Sequence, residues 1–72
     1  MLRKADLRDA NLTGADLSNV GLRGANLTNA TLVNAILHYT NLGGANLSRA
    51  SLKGAKLRDA GFSNRKTDGI SF

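Results

Sequence analysis

The chain has no cysteine, proline, tryptophan or glutamate, and its aromatic residues are one Tyr and two Phe. Each absence excludes a class. Without thiols there is no disulfide framework, and one histidine cannot complete a zinc or iron–sulfur ligand set. The lack of cysteine also accords with a reducing compartment, and a cytoplasmic location is expected. No stretch approaches the ~18 consecutive apolar residues of a membrane span, so no transmembrane segment is expected. Met1-Leu2-Arg3-Lys4 leads into no signal-peptide core. Seventy-two residues allow one small domain and no second core. Ten Lys/Arg stand against five acids, all Asp, for a formal charge of +5. The apolar content is monotonous: twelve Leu and ten Ala make up most of it.

What the sequence does contain is a repeat that fills it. Leu recurs every fifth residue from Leu2 to Leu57, Phe62 continues the series, and no Leu falls outside this register. Two residues before each sits a small residue, and all ten Ala are in that slot, with Val20 and Thr40 as exceptions. A period of five suits neither regular element. On a straight helix five residues advance by about 140°, which would wind the Leu around every side. On a continuous strand an odd period sends successive Leu to opposite faces. Within one unit, however, Ala and Leu are two apart and share a face of a short extended segment. The chain must then turn before the next unit. The last slot holds Gly14, Gly24, Gly44 and Gly54, with Asp9, Asn19, Asn29, Asn34, Asp59 and Asn64, residue types that accept tight turns and left-handed backbone. The pattern predicts a coil with a corner every five residues.

Units such as Ala5-Asp6-Leu7-Arg8-Asp9, Ala25-Asn26-Leu27-Thr28-Asn29 and Ala45-Asn46-Leu47-Ser48-Arg49 resemble pentapeptide-repeat proteins. The resemblance covers residues 1–64 and implies an all-β fold, a right-handed quadrilateral parallel β-helix. With four units to a coil, thirteen units make a little over three coils. Leu and Ala then point inward, and residues twenty apart stack in columns, among them Leu17–Leu37–Leu57. Val20 and Thr40 share a column, and an inward Thr40 hydroxyl needs a backbone partner. Residues 65–72 are expected to form an irregular capping tail, with Ile70 and Phe72 folding over the last coil. The same open ends would also suit a piece of a longer repeat protein, or a chain that self-associates.

Chemistry is sparse. His38 projects outward beside Ser18 and Arg58, but no carboxylate shares its column, so a catalytic triad is not expected. Scattered Asp and one His make no metal site. Gly43-Gly44 opens no helix and reads as a repeat corner, not a phosphate loop. Neither catalysis nor a cofactor is expected. Basic residues gather towards the two ends: Arg3, Lys4 and Arg8, then Lys53, Lys56, Arg58, Arg65 and Lys66. They solubilise the chain and offer a possible anion-binding surface. Between Arg23 and Arg49 no formal charge occurs, and the outward slots there hold Val33, Ile36, His38 and Tyr39. This group is a candidate partner-binding patch.

The expected function is a non-catalytic structural or protein-interaction module, bacterial in type as the resemblance implies. A second class is an electrostatic binder of nucleic acid or an anionic membrane through the basic ends. Some members of the resembled family mimic DNA and bind type II topoisomerases, which requires an acidic surface; this chain carries the opposite sign.

Overall fold

A computed structural model of the chain describes residues 4–61 and 69–72. Backbone torsion marks the repeat directly. Every fifth residue from Lys4 to Asp59 has a positive φ, between 55° and 71°, and Gly69 falls in the same register. At eleven successive corners, the N–H of the small residue donates to the C=O of the Leu three positions earlier; Ala10 to Leu7 measures 3.1 Å and Ala35 to Leu32 3.0 Å. A left-handed residue third in such a turn is the mark of a type II β-turn, which explains the Gly, Asn and Asp of that slot.

The corners stack. Asp6 bridges in parallel to Asn26 and Asn26 to Asn46; Asp16 bridges to Ile36 and Ile36 to Lys56. Each bridge spans twenty residues, so one circuit takes four units. The described residues form a lower circuit (5–24), a middle circuit (25–44) and an upper one (45–61). Leu37, for example, donates its N–H to the Lys56 carbonyl at 2.7 Å, and Ile36 to Ala15 at 2.9 Å, so each coil is hydrogen-bonded both ways along the axis. As the five-residue period leads one to expect, no continuous strand occurs among the described residues. Every contact is an isolated bridge. The physical reason is the five-residue period: the chain turns before a second consecutive ladder pair can form.

Inward positions follow the expected columns. Leu22, Leu27, Leu32, Leu37, Leu42, Leu47 and Leu52 are at most 2% exposed, with Ala25, Ala30, Ala35, Ala45 and Ala50 beside them. Leu7, Leu12, Leu17 and Leu57 on the outer circuits are half-buried and pack against that core. Thr40 is fully buried, and its hydroxyl donates to the Leu17 carbonyl at 2.7 Å. The required partner is therefore supplied by the coil beneath.

Leu2 and Arg3 at the N-terminal end, and Phe62, Asn64, Arg65 and Lys66 towards the C-terminal end, lie outside the described residues, as does half of the 65–72 tail. The described part, Gly69–Phe72, keeps the register of the repeat. Ser71 bridges to Ser51 and Leu52 donates to Ser71 at 2.7 Å. Ile70 takes the small-residue slot above Ala50 and packs on the core. Phe72 takes the Leu slot above Leu52 yet stays 72% exposed, so it does not fold over the coil as expected. A side chain in that slot is buried by a circuit on each side, and no described residue stacks beyond Phe72.

Candidate interaction surface

Outward positions are built from the same unit. Where the slot before Leu holds Asp or Asn, that side chain accepts the N–H two residues on: Asp16 Oδ1 from Ser18 at 3.0 Å, Asn26 from Thr28 at 3.1 Å, Asn46 from Ser48 at 3.0 Å. These side chains hold the turn's entry, which accounts for their recurrence without any ligand. Ile36 occupies this slot on the middle circuit and cannot make that bond. It is the one aliphatic side chain there, half-buried between Asp16 below and Lys56 above.

Around it lie the other residues of the proposed patch. Val33 is half-buried across the Asn34 corner, in the column Thr13–Val33–Lys53. His38 is half-buried between Ser18 and Arg58, and neither Val33 nor Ile36 packs against the core. Tyr39 stands at the next corner, 55% exposed, with φ +61°. A bulky side chain in left-handed backbone is unusual. Among the described corners, Lys4, Tyr39 and Arg49 are the residues other than Gly, Asn or Asp. Arg49 has a local compensation, since its Nε donates to Asn29 Oδ1 at 2.9 Å. Among the described residues no side-chain hydrogen bond does the same for Tyr39.

The basic set divides. Arg8 pairs with Asp6 through two contacts of 2.8 and 2.7 Å, both residues being well exposed. The bonds from Arg8 hold the Asp6 carboxyl at a pKa of about 2, below its usual 3.8, and Asp6 pushes Arg8 up. Arg8 is thus occupied locally, which sequence reasoning missed because the partner sits two residues away on the same face. Lys53, Lys56 and Arg58 are exposed on the upper circuit and make no ion pair among the described residues. Lys4 is exposed at the opposite end. The middle circuit carries no formal charge, as the sequence indicates. Hydrogen bonds from the Ser18 side chain and backbone hold Asp16 below the usual carboxylate range, with a smaller contribution from His38. Among the described residues no group of His or Asp could hold a metal ion, and no helix is long and apolar enough to cross a membrane.

The pentapeptide-repeat family profile matches residues 1–29 and 25–64 in 8 copies. The chain belongs to the pentapeptide-repeat family. A solved family structure, Rfr23 from the cyanobacterium Cyanothece 51142, superposes with a TM-score of 0.88 at 36% identity, covering 99% of this chain and 52% of that one. A pentapeptide-repeat protein from Nostoc PCC 7120 matches at 33% identity and a TM-score of 0.63, over 94% of this chain and 60% of its own. HetL, a protein of the same genus involved in heterocyst differentiation regulation, matches at 26% identity and 0.63, over 97% and 46%. This pentapeptide-repeat chain therefore spans about half the length of the structures it resembles. It shares their right-handed β-helical fold. No curated protein matches it by sequence.

Proposed function

We propose that this pentapeptide-repeat chain, a little over three coils with a terminal segment at 65–72, is a non-catalytic protein-interaction module. Its recognition surface is centred on Val33, Ile36, His38 and Tyr39. The observation that carries this reading is the middle circuit: an apolar residue replaces the turn-supporting Asp/Asn at Ile36, and an uncompensated Tyr39 is held exposed in left-handed backbone. Both choices weaken local turn chemistry, and residues kept against local preference gather at functional surfaces. An apolar centre flanked by polar columns also matches the anatomy of interaction patches.

Two adjacent substitutions test it. Ile36→Asp should leave the fold intact, because Asp16 occupies the same slot one coil below, and should abolish partner binding by placing a charge where an apolar contact must be desolvated. Leu37→Asp should unfold the chain, because it buries an unpaired charge in the interior column. Circular dichroism reads the fold and a pull-down reads the partner. Normal partner binding by a folded Ile36→Asp variant would reduce the patch to plain surface.

The exposed Lys53, Lys56 and Arg58 support a second reading, an electrostatic contact with nucleic acid or an anionic membrane. Retention on heparin and duplex DNA should then fall steeply with salt and drop further in Lys56→Glu/Arg58→Glu. Shallow salt dependence would count against it.

A further inference from the structure

One face of the solenoid carries three outward columns. Read from the lower circuit to the upper, they are Asp16–Ile36–Lys56, Ser18–His38–Arg58 and Asn19–Tyr39–Asp59. The parallel bridges Asp16 to Ile36 and Ile36 to Lys56 fix the order of the first. That column runs from anion through apolar residue to cation, with its apolar member at the midpoint. A sequence of this kind is complementary to its own reverse.

We propose that this face binds a second copy of the chain, face to face and antiparallel, about a two-fold axis running along the row Ile36–His38–Tyr39. The proposal rests on the reading of this surface as a protein-interaction face and names its occupant. In this arrangement Asp16 of each copy meets Lys56 of the other, and Ile36 meets its own counterpart. The row on the axis opposes itself throughout, as an isologous contact requires. Asp59, the other acid on this side, meets the amide of Asn19. Parallel packing of the same faces would instead oppose Asp16 to Asp16 and Lys56 to Lys56, which is repulsive.

The charged groups are available for such a contact. Lys56 and Arg58 are exposed and form no ion pair among the described residues. Asp16 is exposed, and its Oδ1 is fixed by the Ser18 N–H at 3.0 Å, so the carboxylate is positioned before docking. Charge at the far ends of the solenoid is largely screened beyond about 8 Å at physiological salt, whereas apposed pairs are not. The Cα extents of 21 × 20 × 17 Å limit one face to a small footprint. The contact falls below the roughly 1,200 Å² of a standard stable interface, so the dimer is weak and exchanges rapidly.

Sedimentation equilibrium and concentration-dependent amide NMR shifts of the whole chain test this at physiological salt. The wild type should self-associate between micromolar and millimolar concentration, with shifts centred on Asp16, Ile36, Tyr39 and Lys56. Asp16→Lys and Lys56→Asp should each weaken the dimer by about tenfold or more, since each opposes like charges. An equimolar mixture of the two should restore association as a heterodimer, and the double variant Asp16→Lys/Lys56→Asp should restore the homodimer. Because this slot holds Asp, Ile and Lys in one column, all these variants should keep the wild-type circular dichroism. Ile36→Asp should leave only monomer. A wild type monomeric at millimolar concentration, a persistent Ile36→Asp dimer, or a mixture that fails to recover would overturn the proposal. If the wild type is monomeric but Ile36→Asp still loses a heterologous partner, the surface reading survives and only the second copy is excluded.

Discussion

At the scale of single residues, the corner position decides most of what is unusual in this chain. A left-handed conformation costs an L-residue roughly 1 kcal/mol that Gly avoids and Asn largely offsets through its short polar side chain. Tyr39→Asn should therefore raise stability by about 1 kcal/mol in urea denaturation, while weakening any contact that uses the ring. An unchanged or lower midpoint would show that Tyr39 is compensated by packing. The Asp6–Arg8 pair makes a second residue-scale prediction. The folded pKa of Asp6, about 2, lies below its usual 3.8. Its ionised form thus adds stability above the unfolded value, and that contribution disappears as pH falls from about 4 to about 2. Asp6→Asn should flatten the acid limb of stability against pH while keeping the turn, because Asn26 supports the same turn one coil above. The pair is well exposed, so the effect is small at neutral pH.

At the scale of the five-residue unit, stability comes from position within the stack. A Leu between two circuits is sealed, whereas one on an outer circuit is covered from one side. Leu32→Ala should therefore cost about 2–5 kcal/mol, enough to unfold so small a domain, and Leu7→Ala should cost clearly less. Equal losses at the two sites would contradict a core centred on the middle circuit. Thr40 illustrates the same geometry with a polar group. Its hydroxyl shares the Leu17 carbonyl with the Val20 N–H, which lies at 3.1 Å. Removing the hydroxyl leaves that carbonyl paired. Thr40→Val should accordingly shift the denaturation midpoint little, by less than about 1 kcal/mol, even though the site is fully buried.

For the whole molecule, the backbone is a stack of nearest-neighbour ladders with no helix among the described residues. Stability in such solenoids is close to a sum of coil and interface contributions. Amide exchange should be slowest on the middle circuit, at Leu27, Leu32 and Leu37, which have a hydrogen-bonded circuit on each side. Uniform protection along the axis would instead indicate a single cooperative unit. Charge is distributed along the same axis. Acids and bases are mixed on the lower circuit, absent from the middle one, and predominantly basic on the upper. This polarity gives the outward columns a direction, so any partner that reads them must read them in one orientation.

The sequence alone determined the register. A five-residue period in Leu and Ala, with Gly, Asn and Asp at the corners, has no other physical solution than a coil that turns at each unit, and its inside and outside follow from the two-residue spacing. It also named Ile36 as an exception in its slot and Thr40 as a buried hydroxyl in need of a partner. Tertiary structure decided what depends on neighbours twenty residues away or on backbone torsion. It showed that Tyr39 sits in left-handed backbone without the compensation Arg49 has, and it joined Asp16, Ile36 and Lys56 through parallel bridges; the Asp6–Arg8 pair, only two residues apart, emerged from side-chain geometry. It also left Phe72 exposed in an interior register. Burial and charge complementarity are properties of stacked coils, and a linear pattern carries them only once the number of units per circuit is known.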